Sequence, residues 1–372
     1  LLRKKNPAFI REGFNPIFHV FSRDLYSDNK EEILLSSAIL VEDIRGELVE
    51  NLHRGFIAVV NDQGELIGHA GNPLQKTYYR SASKPIQALP ILALGIDREF
   101  GLTPEETTIM AGSHMGEPFH VAAIESILHK IGAREEDLCM KPTYPGYLPR
   151  RTELLCANAP KRKVYHNCSG KHTAAIAMAR HFGVASEGYW LPDHPVQQYI
   201  LQTISHFTEI AKAEIGIGVD GCGAPVFAVP IQNMALAAMK LACPDRIADP
   251  IWAEAASRMA KYMNLYPLMI TGTDYICSMV NMDSNLVAKG GAEGVYSIGM
   301  KEQRLGIAFK CEDGTEVTWP LLINEIFKQI GYSNEAGRQR MLKLAKPFVI
   351  NDNDWIVGEK RTCFQLFTGG LS

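Results

Sequence analysis

The sequence predicts an α+β fold, with one antiparallel sheet built from strands at both ends of the chain and a mainly helical region inserted between them. Three observations predict it. Aliphatic and β-branched residues crowd Ile33 to Val60, and a turn at Asn61-Asp-Gln-Gly64 lets Glu65 to Ala70 return as a partner strand. Strand-like runs resume only after Gly294, where Val295 to Met300 and Arg304 to Phe309 read as a hairpin across Lys301-Glu-Gln303. Between these two regions apolar residues recur every three or four positions, the period of a helix. A chain of 372 residues is long enough to bury one sizeable core.

Taken in order, residues 1–32 are weakly periodic and read as an N-terminal extension. After Arg80 the pattern turns helical through Ile86, Leu89, Ile91, Leu92 and Leu94. Pro118 sits where a first turn tolerates proline, and a helix is expected from there to Ile131, before Gly132. Met140 to Val164, with Pro142, Pro145, Pro149 and Pro160, reads as a long ordered loop. Lys171 to Phe182 is helical and stops at Gly183, while Asp249-Pro250 opens a further helix with an N-cap and a proline behind it. A helix over Leu321 to Ile330 and a last strand near Phe348 to Val357 complete the reading. Residues 33–372 then form a single unit, an α/β sandwich from about 33–110 and 270–372 with a mainly helical region at about 111–269.

Composition excludes some partners. The net charge of −3 makes no field that would gather nucleic acid. The basic cluster Arg150, Arg151, Lys161, Arg162 and Lys163 reads as a solvated loop. No apolar run has the length of a membrane span. The opening LLRKKNPAFIREGF has neither the apolar core nor the cleavage site of a secretory leader, so a cytoplasmic, reducing location is expected. The eight cysteines form no Cys-x-x-Cys pair and are expected as thiols in apolar packing.

The stretch YRSASKPIQALP places Ser81 and Lys84 three residues apart, on one face of a helix start. Pro85 confines the pair to a first turn. A serine hydroxyl is a weak nucleophile until a base takes its proton, and a neutral lysine can be that base. Neutrality requires burial or a neighbouring cation such as Arg80, since a free lysine titrates near a pKa of about 10.4. Ser-x-x-Lys alone is equally the mark of an exposed helix start. Two further pieces add context: MAGSHMGEP, with Ser113 and His114 between glycines, and LVAKGGAEGVY, with Lys289 before Gly290 and Gly291.

A second cluster mixes thiols with basic residues. HNCSGKH carries Cys168, Ser169 as candidate N-cap, Lys171 and His172, and GVDGCGAP carries Asp220 and Cys222. Three readings stand side by side: buried thiols, a nucleophilic Cys168 at a helix start near His172, and a metal site on Cys168 and Cys222. SGKHT is no phosphate loop, because Tyr165 stands where its first glycine should be and His172 follows the lysine.

The order Ser-x-x-Lys, loop serine, Lys-x-Gly resembles the penicillin-recognising serine hydrolases, without the asparagine or aspartate of their middle motif. RSASKPIQALP, GSHMGE, HNCSGKH, DGCGAP and AKGGAEGVY together resemble the rhizobial-type L-asparaginases, from about residue 34 to the C-terminus. The resemblance implies a serine β-lactamase- and glutaminase-like fold, a homodimer, and hydrolysis of L-asparagine to L-aspartate and ammonia. It implies two Ser–Lys pairs: Ser81, the nucleophile, with Lys84, and Ser113 with Lys289. It also implies one zinc ion on Cys168, Lys171 and Cys222. Around these, Arg80 is expected to pair with the substrate carboxylate and Asp220 with its ammonium, while His114 and His172 orient the substrate or support the metal. The alternatives are a glutaminase, another serine amide or β-lactam hydrolase on this scaffold, and a zinc-stabilised binding protein with an inactive site.

Overall fold

The computed structural model describes residues 36–367, and the extension read at residues 1–32 lies outside them. The chain opens with strands β1 (Ala38–Arg45), β2 (Leu48–Val60) and β3 (Leu66–Ala70). Three short strands, β4 (Lys76–Tyr78), β5 (Gly216–Val219) and β6 (Pro225–Pro230), make a separate small sheet in the order β4-β6-β5. The C-terminal part adds β7 (Leu286–Gly291), β8 (Val295–Met300), β9 (Leu305–Cys311), β10 (Phe348–Ile350) and β11 (Ile356–Thr362). The large sheet runs β10-β11-β1-β2-β9-β8-β7, with β3 beside β2, and every pairing is antiparallel. Strands from both ends of the described chain thus share one sheet, as the sequence predicts.

β2 explains how the sheet holds together. Its first residues are exposed and pair with β1, while Phe56 to Val60 are buried between β3 on one side and β9 on the other. Strands β2, β7, β8 and β9 pack against the helix Ile231–Ala242 through buried apolar residues. That helix lies so close that a Cβ on Gly299 would stand 2.2 Å from the carbonyl oxygen of Ala238. The helix Lys84–Ala93 is the hub of the helical region, packing against the helices Ser169–His181, Pro195–Thr208 and Pro250–Leu265.

Four expectations change, the first being that strands return ahead of Gly294, at β7, whose Lys-Gly-Gly end hides its strand pattern. The run Ile33 to Val60 is a hairpin within its described part, because Gly46 turns back at φ +59° between β1 and β2. The proline-rich segment 140–164 contains a helix, Leu148–Cys156, because Pro149 falls in its first turn, where a missing N–H costs nothing. The last strand is two, β10 and β11, since Asn351 Oδ1 accepts from the amides of Asn353 and Trp355 and closes a tight turn. The small second sheet was not legible, its strands being too short for a clear alternation. Among the described residues no helix is long and apolar enough to cross a membrane.

Candidate active site

A cavity of about 500 Å3 opens where β7 meets the turn before the helix Lys84–Ala93. Ser81, Ser113, Asn167, Thr271, Lys289 and Trp319 are among its walls. Ser81 lies in a 3-10 turn, Arg80–Ser83, immediately before the helix. Arg80 holds a left-handed φ of +48°, a conformation that costs a non-glycine residue about 1 kcal/mol or more. Two hydrogen bonds hold the turn in place: Ser83 Oγ donates to the Arg80 carbonyl at 2.7 Å, and Gln87 Nε2 donates to Ser83 Oγ at 2.6 Å. Across the turn, a Cβ on Gly291 would stand 2.9 Å from the Ser81 nitrogen and 2.8 Å from that of Ala82. The glycine lets β7 come that near.

Lys84 is wholly buried. Its Nζ lies 2.9 Å from the Gly112 carbonyl, 2.9 Å from Ser113 Oγ and 3.3 Å from the Asn167 carbonyl. Carbonyls only accept, so Ser113 is the one partner of the three able to donate a proton to a neutral Lys84. The structure therefore joins Lys84 to Ser113 directly, and places Ser81 in the same cavity wall without a hydrogen bond to Lys84. Ser113 is fixed by its own backbone: its N–H donates to the Ile270 carbonyl at 2.7 Å, and that of Met115 to Thr271 at 2.8 Å. Lys289, from β7, is also buried and donates to the Gly290 carbonyl at 2.6 Å. Burial pushes its pKa down to about 8.

The thiol cluster joins Arg80 through Asp220. Sulfurs of Cys168 and Cys222 and a carboxylate oxygen of Asp220 fall within 4.8 Å of one another. Asp220 accepts from Arg80 Nε at 3.1 Å and faces Lys171 Nζ at 3.6 Å. A hydrogen bond from Cys222, with Lys84 and Lys171 nearby, holds the Cys168 thiol well below its ordinary range against the cost of burial. Cys222 correspondingly keeps its proton. Burial disfavours the Lys171 ammonium, yet the negative charge held by the thiol pair and that of Asp220 outweigh it and raise its pKa. Two soft sulfurs beside a carboxylate are a donor set that fits zinc, and Lys171 joins it only by giving up its proton to the metal's charge. The metal-ligand expectation for Cys168, Lys171 and Cys222 thus falls on residues that the fold brings together.

Other expected residues are placed differently. Arg80 and Asp220 neutralise each other in this state rather than standing free for a substrate's charges. Ser169 is the first residue of its helix, not the N-cap, and its Oγ lies 2.7 Å from His114 Nε2. His114 Nδ1 accepts from the Gly116 amide at 3.1 Å, so the imidazole is neutral with its proton toward Ser169. Burial and the stacked His120 hold its pKa well below the ordinary value. His172 is turned to Tyr189, whose hydroxyl lies 2.8 Å from Nδ1, and its buried Nε2 has no partner among the described residues. Neither histidine is among the cavity walls. Sequence reasoning passed over Asn167, although it stands inside HNCSGKH, and over Thr271 and Trp319, which no motif marks.

A comparison with curated proteins finds no match. Among solved structures, a beta-lactamase from Mycobacterium bovis is similar at 13% identity and a TM-score of 0.39, covering 74% of this chain and 94% of its own. The structure of Mglu in its native form is similar at 14% identity and a TM-score of 0.37, covering 76% of this chain and 66% of its own. The profile of the L-asparaginase II family matches residues 41–362, a span that contains every residue of the cavity and of the thiol cluster. By that match, the chain belongs to the L-asparaginase II family.

Proposed function

We propose that the protein hydrolyses L-asparagine to L-aspartate and ammonia through a serine–lysine mechanism. The observation that carries this reading is the wholly buried Lys84, 2.9 Å from Ser113 Oγ, behind a wall that also holds Ser81 and Lys289. A binding protein gains nothing from two buried lysines beside two serines, since each costs desolvation.

In this mechanism Ser81 Oγ attacks the carboxamide carbon, and its proton passes to a neutral lysine, Lys84. The tetrahedral intermediate collapses when Ser113 Oγ gives its proton to the leaving nitrogen and recovers one from Lys84. Ammonia departs, and L-aspartate remains esterified to Ser81. Water then attacks the ester by the reverse proton path, releasing aspartate and restoring Ser81. Lys289, titrating near 8, keeps a positive charge close to the oxyanion without locking a proton on the site. Zinc held by Cys168, Cys222 and Lys171 would supply a fixed positive charge beside this wall. The reading includes a homodimer, supported by the exposed apolar side chains of Leu48, Phe348, Trp355 and Ile356 on β2, β10 and β11 and the turn between the last two.

The test is ammonia release from L-asparagine, L-glutamine and a chromogenic β-lactam, with Ser81→Ala alongside. Turnover of asparagine, with a loss of about a thousandfold or more in the folded variant, is expected. An active Ser81→Ala protein would remove the nucleophile assignment, and preference for another substrate would move the reading to that amide.

A further inference from the structure

Asn167 stands two residues before the helix Ser169–His181 and lines the cavity with Ser81, Ser113 and Lys289. Its main-chain carbonyl accepts from Lys84 Nζ at 3.3 Å, and that same Nζ lies 2.9 Å from Ser113 Oγ. The side chain of Asn167 thus starts from a backbone anchored to the proton-carrying pair. A carboxamide offers two N–H donors and an oxygen with two lone pairs. Asn167 is exposed where it lines the cavity, and its side chain makes no hydrogen bond with any described residue, so these groups face water and are open to a substrate, while its neighbours on both sides are engaged: His166 Nδ1 accepts from the Cys168 amide at 3.1 Å.

Charge indicates which part of a substrate this group meets. An amino-acid amide brings an ammonium, a carboxylate and one neutral group, the carboxamide. The exposed charged residues of the cavity wall, Asp274, Glu316 and Lys346, form no ion pair among the described residues and suit the charged head. Asn167 is neutral and complements the neutral carboxamide. Resting on the asparaginase reading above, we propose that Asn167 binds the scissile carboxamide. Its Oδ1 accepts one N–H of the amide and turns the leaving nitrogen toward Ser113, the group that protonates it.

The test compares Asn167→Ala with wild type on L-asparagine and on L-aspartate β-methyl ester, whose leaving group has no N–H to donate. With one hydrogen bond lost, kcat/KM for the amide falls about tenfold or more, while the ester loses less than about threefold. Equal loss on both substrates, or no loss on the amide, overturns the assignment of Asn167 alone. Wild-type protein inert toward L-asparagine overturns it together with the asparaginase reading.

Discussion

Lys289→Met removes a buried charge from the cavity wall while keeping a side chain of similar length. In the folded protein Lys289 titrates near 8, against 10.5 for a lysine in water. At neutral pH, holding its proton there costs the fold about 3 kcal/mol. The sign follows from proton counting. Between pH 8 and 10.5 the unfolded chain keeps this proton and the folded chain has released it, so wild-type stability rises with pH across that window. The variant has nothing to titrate at this position. It should be the more stable protein at pH 7, by up to about 3 kcal/mol, less about 1 kcal/mol for the hydrogen bond lost at the Gly290 carbonyl. That second contribution does not depend on pH, so the pH dependence isolates the charge. Urea unfolding of both proteins at pH 7 and at pH 9.5 should show the gap between them shrink by about 2 kcal/mol. On the mechanism proposed above, the same substitution should abolish most ammonia release, because it removes the charge assigned to the oxyanion. A stability gap that is constant with pH would refute the claim that burial holds Lys289 down.

Two other substitutions test the geometry. Gly291→Ala would set a Cβ 2.9 Å from the Ser81 nitrogen and 2.8 Å from that of Ala82, forcing the turn away from β7. We expect a fall in kcat of about a hundredfold with a stability loss of about 1–3 kcal/mol, and an active Gly291→Ala protein would mean that Ser81 need not sit where it does. Asp220→Asn leaves Arg80 and Lys171 without their shared carboxylate. Urea unfolding should register a loss of about 3 kcal/mol, and, if the proposed zinc site is right, chelator competition a weakening of zinc binding of about tenfold. Unchanged zinc affinity would detach the thiol cluster from the Arg80 turn.

Much of this protein was legible before folding. Antiparallel strands at both ends followed from β-branched runs separated by turn residues, a local pattern. The helix after Ser81 followed from apolar spacing and from Pro85, whose backbone suits a first turn. Ser81, Lys84, Ser113 and Lys289 could be named because Ser-x-x-Lys, a loop serine and Lys-x-Gly follow one another in the order of a known family, although each motif alone says little. What they do to one another could not be read. Lys84 is three residues from Ser81, yet its Nζ lies against Ser113 and the carbonyls of Gly112 and Asn167, contacts that depend on how the helix Lys84–Ala93 packs. Arg80 and Asp220, assigned separately to the two charges of a substrate, are 140 positions apart and find each other only when β6 lies beside β4. The sequence by itself determined which groups are present and the period of each segment, because side-chain chemistry and local backbone preference are properties of neighbours along the chain. Tertiary structure alone decided the pairings, the burial that shifts Lys289, and the place of Asn167 in the wall, because hydrogen bonds and desolvation depend on distances that the chain sets only after it has packed.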